Sequence, residues 1–315
     1  MLFLLITLLR IGDDILELRV LQHFLAVARE QSISAAAESL HLSQPTLSTQ
    51  LKALEDELGK HLLIRGVKGS RKVLLTDEGM ILQKRAEEIV DLVRMTENEI
   101  SQSNELIAGD VYIGAGESDI IRLFARAARD IYTKYPDIHC HIQSGNATFV
   151  KEQLDKGLID FGMIYGGVDT SIYSSLKLPV ADIWGVLMRK DCPLSELEYI
   201  APRDLYDQPL ILSVQETASW STWTLSEWFK RDISELNIVA TYNLIYNASL
   251  MVDEGLGVAL CFDKLINTTG DSNLCFRPLR PEMKAEAFVI WKKYKLFSKA
   301  AQKFIDTLKQ NLTVE

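Results

Sequence analysis

The sequence predicts an α/β protein whose N-terminus is an all-α-like winged helix-turn-helix, joined by a linker helix to a larger α/β domain. Three observations predict this. Residues 17–58 hold three helical stretches ahead of a basic strand-turn-strand; from Asp77 apolar residues recur every seven positions; beyond Gly109 strands and helices alternate. With 315 residues, 47% of them hydrophobic, the chain exceeds one compact core and suffices for two or three.

Residues 1–15 read as an extension, because the apolar run MLFLLITLLR is too short to span a bilayer and lacks a preceding basic segment. Residues 16–76 form the first folded unit. Leu18, Leu21, Leu25 and Ala28 place one apolar face on a first helix. Ser34 is expected to cap a second helix through Leu40, HLS to make the turn, and Ser43 to cap a third helix from Gln44 to Leu58. In that third helix Leu47, Leu51, Leu54 and Leu58 face inward, so Pro45, Thr49, Lys52 and Asp56 face out, flanked by Thr46 and Ser48, with Gln44 at the tip. Small hydroxyls and amides near a helix N-terminus suit base edges and phosphates in a major groove. They also line the wet face of any three-helix cluster, so the next segment discriminates. LLIRGVKGSRKVLLT reads as strand, turn, strand around Gly66 and Gly69, with Arg65, Lys68, Arg71 and Lys72 and no acid: a basic wing able to clamp phosphates. The chain as a whole carries −9, whereas residues 16–76 hold eight basic and six acidic side chains, so any contact with DNA is assigned to this unit.

The run AVAREQSISAAAESLHLSQPTLSTQLKALEDELGKHLLIR followed by LLTDEG resembles the DNA-binding module of LysR-type transcriptional regulators. The resemblance implies that Gln44, Pro45, Ser48 and Thr49 approach bases or phosphates and that the wing lies along the DNA backbone. Ser34, Thr46, Lys52, Arg65, Lys68, Arg71 and Lys72 complete the DNA-facing set. Many members carry Arg where this chain has Thr49, so no strong guanine contact is expected there.

Residues 77–107 form the linker. Leu82, Ala86, Ile89, Val93, Thr96 and Ile100 alternate steps of four and three, and Lys84, Arg85, Glu87, Glu88, Asp91 and Arg94 leave only a narrow apolar stripe, which favours a partner helix. Pairing of two chains would set two recognition helices on a palindromic site in double-stranded DNA. The resemblance implies a dimer of dimers.

In residues 108–315, DVYIGAG, IHCHIQS and DFGMIY read as strands separated by helices at 119–134 and Phe149 to Lys156, hence a parallel sheet. A second block is expected from about Asp182, with strands DIWGVLM, PLILS, NIVATY and VALC and helices at 220–230 and 247–254, before EAFVIW and a final helix return to the first block. This resembles the two-lobed, periplasmic-binding-protein-like effector domain of the same family, with lobe I at about 108–181 and 282–315 and lobe II at about 182–281. Ligands bind beyond strand C-termini in such sheets. That rule selects Ser118, Asn146, Thr148, Tyr165, Gln215, Thr217 and Ser219 as contacts for a small-molecule effector such as an organic anion, although Ser, Thr and Asn also cap helices. The resemblance favours Ser118 and Thr148. Trp220 and Trp223 suit stacking on an aromatic effector or hinge packing.

His139 and His141 share a strand face opposite Cys140, so HCH does not suit metal ligation. The four cysteines form no CxxC pair, and a reducing cytoplasm, with no disulfide, metal or cofactor, is expected. GxSxG, GxxxxGK[ST] and HExxH are absent, so no enzyme is expected, nor is a membrane partner, since no apolar run reaches membrane-spanning length.

Overall fold

The computed structural model describes residues 17–65, 72–101, 107–214 and 225–314. The extension 1–15, Lys68, Arg71, Gln215, Thr217, Ser219, Trp220 and Trp223 lie outside the described residues. Two compact units divide at Ser101 and Gln102.

The first unit contains helices α1 (Leu18–Glu30), α2 (Ile33–Ser39) and α3 (Gln44–Leu58), strands β1 (Leu63–Arg65) and β2 (Val73–Leu75), and helix α4 (Asp77–Ser101). The buried face of α1 centres on Leu21, Phe24 and Val27, which meet Ala36 and Ala37 of α2 and Leu47, Leu51 and Leu54 of α3 in one core. Ser43 caps α3 by accepting from Thr46 N, and Gly59 ends the helix in the left-handed region at φ 62°. The second cap differs from expectation. Ser32, not Ser34, accepts from Ala35 N, so α2 begins two residues earlier and Ser34 lies within it, exposed. The antiparallel pair β1–β2 sets Leu63 against Leu75 and Arg65 against Val73, and Val73 N donates to Gln31 O at the end of α1. Thr76 then starts α4: its hydroxyl donates to His61 O and accepts from Gly79 N. A Cβ on Gly79 would sit 2.2 Å from Leu62 O, so the close approach of α4 to β1 requires glycine.

The second unit is built on β3 (Gly109–Ala115), α5 (Ile121–Lys134), β4 (Ile138–Ser144), α6 (Ala147–Asp155), β5 (Phe161–Tyr165) and β6 (Tyr173–Arg189). It continues with β7 (Leu210–Ser213), α7 (Leu225–Phe229), β8 (Ile238–Tyr242), α8 (Ile245–Asp253), β9 (Val258–Phe262), β10 (Leu274–Pro278), β11 (Lys284–Lys292) and α9 (Lys299–Val314). The strand order is β4-β3-β5-β11-β6-β9-β7-β8, with β10 also paired to β6. Strand β3 is parallel to β4 and β5, and β7 is parallel to β8 and β9.

The strand expected from Asp182 starts earlier. Strand β6 starts at Tyr173 and runs without a break for 17 residues, pairing with β11 through Ile183 and with β9 from Trp184 onward. One strand therefore belongs to both half-sheets. Strand β10, which the sequence reading lacks, flanks its second half. Each half-sheet is covered on both faces: Phe124 and Ile131 of α5 with Phe304 and Leu308 of α9 cover one side of the first, and Val150 and Leu154 of α6 the other. Phe229 of α7 and Val252 of α8 belong to the two corresponding cores of the second.

Candidate functional site

On α3, Gln44, Pro45, Thr46, Thr49 and Lys52 are exposed and Ser48 is half-buried. The face is pre-shaped by its own bonds. Thr46 and Ser43 share a hydroxyl-hydroxyl bond of 2.7 Å, and the Thr49 hydroxyl donates to Pro45 O, which leaves its lone pairs outward. The side chains of Gln44 and Lys52 make no hydrogen bond or ion pair among the described residues. Behind this face His23 of α1 bonds Gln50 of α3 at 2.8 Å.

Sequence reasoning missed Glu55. It lies on the leucine face of α3, only 7% exposed, and its carboxylate accepts from Leu62 N at 2.8 Å, Leu63 N at 3.1 Å and Arg65 Nη2 at 3.1 Å. Arg65, expected to be a phosphate contact, is thus partly committed to an internal ion pair. Lys72 is exposed beside it.

Along α4 the expected stripe divides. Ala86 is fully buried and Leu82 packs on the core of its own unit, whereas Ile89 and Ile100 are exposed together with Ile81 and Leu92, which the seven-residue reading left out.

In the second unit the loops after β3 and β4 adjoin, because Gly145 N donates to Ala115 O. The first loop carries Ser118, and the second leads through Asn146 into α6, which carries Thr148. Ser118 is buried; its hydroxyl donates to Asp182 Oδ2 at 2.6 Å and accepts from Ile120 N. The Tyr165 hydroxyl donates to the same Asp182 oxygen. Burial raises the Asp182 carboxyl above its ordinary value, and burial with the neighbouring Asp182 charge raises the Tyr165 hydroxyl. Tyr165 and Trp184 both pack on Phe262, at 4.8 and 4.5 Å between ring centres. Asn146 caps α6 through Phe149 N, a structural role, while Thr148 is exposed in the first turn of α6.

The neighbouring Glu117 reaches the other half of the unit. Its carboxylate accepts from Ile245 N at the start of α8, where the cap position is Leu244, a side chain unable to cap. Glu117 and Asp182 were not selected from the sequence; a lone acid in the apolar run DIWGVLM was the available signal for Asp182.

Among the described residues no cluster could hold a metal ion. His141 instead bonds Asp110 and stacks on Tyr112 at 4.9 Å. Burial pushes the Cys140 thiol up to about 11 and that of Cys261 up to about 12, so neither is a ready thiolate. No described helix is long and apolar enough to cross a membrane.

Residues 18–80 match the bacterial regulatory helix-turn-helix protein, lysR family, and residues 104–313 match the LysR substrate binding domain. The chain belongs to the LysR family. Similar proteins include the Hca operon transcriptional activator HcaR of Escherichia coli K12, 29% identical over 94% of this chain and 98% of its own length. The uncharacterized HTH-type transcriptional regulator YfeR of Shigella flexneri is 26% identical over 93% of both chains. Among solved structures, full-length CbnR complexed with its target DNA superposes with a TM-score of 0.70 at 19% identity, covering 94% of this chain and all of that one, a likeness of fold. This LysR-type protein is a transcriptional regulator, with a helix-turn-helix DNA-binding module and a substrate-binding domain for a small-molecule effector.

Proposed function

We propose that this LysR-type regulator binds palindromic double-stranded DNA as a dimer of dimers in the cytoplasm, without catalysing a reaction, and answers to an effector held between the half-sheets of its second unit. On the DNA side, Gln44, Pro45, Ser48 and Thr49 face the bases, while Thr46, Lys52, Arg65, Lys68, Arg71, Lys72 and, at the edge of the module, Ser34 serve the backbone. The exposed α4 stripe, whose Ile100 is 79% exposed, supports pairing of two copies.

The contact that carries the effector reading is Glu117 on Ile245 N. A carboxylate from one half-sheet already occupies the free N–H end of a helix on the other, so an organic anion suits that place and would displace Glu117. In this reading Ser118, Asn146, Thr148, Tyr165, Gln215, Thr217 and Ser219 are the residues that contact the effector. Exchange of a tethered carboxylate for a free one changes how the halves are held, and the α4 pair passes the change to the DNA module.

Selection of bound duplexes from a random pool by the full chain is expected to return a dyad-symmetric site; an asymmetric consensus would refute the paired assembly. A thermal-shift screen of small carboxylates and aromatic metabolites is expected to yield hits that weaken in Ser118→Ala and Thr148→Ala while DNA binding persists. Hits indifferent to both substitutions would place the effector elsewhere.

A further inference from the structure

A pocket of about 290 Å³ lies between the first turns of α5, the middle of β6 and the residues just after β9, lined by charges of both signs: Asp119, Arg122, Arg126, Asp182, Asp263 and Lys264. Neither Ser118, Asn146, Thr148 nor Tyr165 lines it. Some of these charges are already satisfied. Arg122 pairs with Asp119 at 2.6 Å, and Asp263 Oδ1 accepts from the Lys264 backbone N.

Two groups are left over. Asp182, 6% exposed, receives both of its hydrogen bonds on Oδ2, and no donor reaches Oδ1 among the described residues. Among the described residues no fully buried side-chain oxygen lacks a partner, so Oδ1 is not sealed off, and Asp182 is one of the residues that line the pocket. The second group is Lys264, exposed at the rim, whose ammonium makes no hydrogen bond or ion pair among the described residues and acts on Asp182 only through its charge at longer range. A simple anion in this pocket would face three aspartates, and a simple cation would face three basic side chains. A molecule carrying both charges answers an acceptor at one end and a cation at the other.

We propose that this pocket binds a small zwitterion of α-amino-acid size, its ammonium donating to Asp182 Oδ1 and its carboxylate pairing with Lys264. The volume is near the lower end for small-molecule sites, about 300 Å³, which suits a ligand of that size. Because Oδ2 of the same carboxylate holds Ser118 and Tyr165, a ligand on Oδ1 acts on the effector cleft through one shared side chain. The proposal does not depend on the identity of the effector in the cleft.

The test is calorimetric titration of the full chain with each protein amino acid in turn, alongside its decarboxylated amine and its deaminated acid. At least one amino acid is expected to bind, with both analogues roughly tenfold weaker or worse, the loss expected for one charge-assisted contact. Lys264→Ala, an exposed change that leaves the fold intact, should weaken that binding roughly tenfold, and Asp182→Asn by a similar factor. The proposal is overturned if no amino acid binds, if a deaminated acid binds as well as its parent, or if Lys264→Ala has no effect. Binding lost in Thr148→Ala but kept in Lys264→Ala would assign the ligand to the cleft and likewise overturn it.

Discussion

Replacing Glu55 by Ala should unfold the DNA-binding unit well before the rest of the chain. The side chain is buried and accepts three bonds, two of them from the backbone N–H groups of Leu62 and Leu63, which are themselves buried. Hydrogen bonds to a charged group contribute about 1.5–3 kcal/mol each, while the Arg65 pair, with a half-exposed guanidinium, adds about 0–1 kcal/mol. Bonds that share one carboxylate are not additive, so the expected loss is about 2–4 kcal/mol. In a domain of this size each kcal/mol moves Tm by about 4–8 °C, giving a fall of about 10 °C or more. Glu55→Gln keeps an acceptor for both N–H groups and should lose about half as much. Differential scanning calorimetry of the full chain reads both variants, because the substrate-binding unit provides an internal reference transition. If the first transition of Glu55→Ala stays within about 2 °C of the parent, the carboxylate does not hold β1 to α3 and the reasoning fails.

Gln44→Ala should relax sequence preference on α3, while Lys52→Ala should weaken binding to every duplex and reduce the salt slope by about one; equal effects in a competition assay would contradict the division of roles. Glu117→Gln removes a negative charge from the start of α8, worth about 0.3–1 kcal/mol, and so should tighten binding of an anionic effector roughly two- to fivefold by calorimetric titration. Unchanged or weaker binding would count against displacement. Burial raises the Asp182 carboxyl above 3.8, so the folded state holds its proton more tightly than the unfolded chain. Its contribution is fully present below about pH 3.8 and is lost as pH rises through the raised folded value. Asp182→Asn lacks that loss, so the variant's stability relative to the parent should increase as pH rises above about 3.8, as denaturant titrations would show.

Local chemistry was legible and remote pairing was not. The bounds of α3 follow from Ser43, the leucine spacing and Gly59, all within the helix or one residue away. The choice between Ser32 and Ser34 is harder, because both precede short apolar runs and only the extended backbone at Ser32 (ψ 121°) aims its hydroxyl at Ala35 N. Glu55 stands in sequence beside two further acids, Asp56 and Glu57; its partners are backbone groups seven and eight residues on, and no side-chain pattern announces them. The first half of β6 contains Pro179, which disfavours a central strand, and several polar residues. It is a strand because β11, about a hundred residues later, pairs with it. Asp182 is likewise explained only by Ser118, 64 residues earlier, and Tyr165. The strand-end rule selects Ser118 and Tyr165 but gives no sign of the Asp182 carboxylate that both hydroxyls bond.

The shared strand limits what an effector can do. A hydrogen-bonded strand cannot slide along its neighbours without breaking its ladder, and β6 is held by β11 up to Ile183 and by β9 and β10 beyond it. Trp184 marks the changeover, its backbone N–H donating to Met283 O and its carbonyl accepting from Leu279 N. One residue later a Cβ on Gly185 would sit 2.1 Å from the Phe276 ring, so β10 lies tightly against the strand there. Relative movement of the halves is therefore confined to twist and bend about residues 182–184. Small rotations at such a pivot move the outlying contacts most. Glu117 on Ile245 N is one of those contacts, and Asp182, at the pivot itself, is tied to Ser118 and Tyr165. An effector that displaces Glu117, as proposed above, would therefore act far from the pivot, and a ligand on Asp182 would act at it; both bias the same motion and so are coupled.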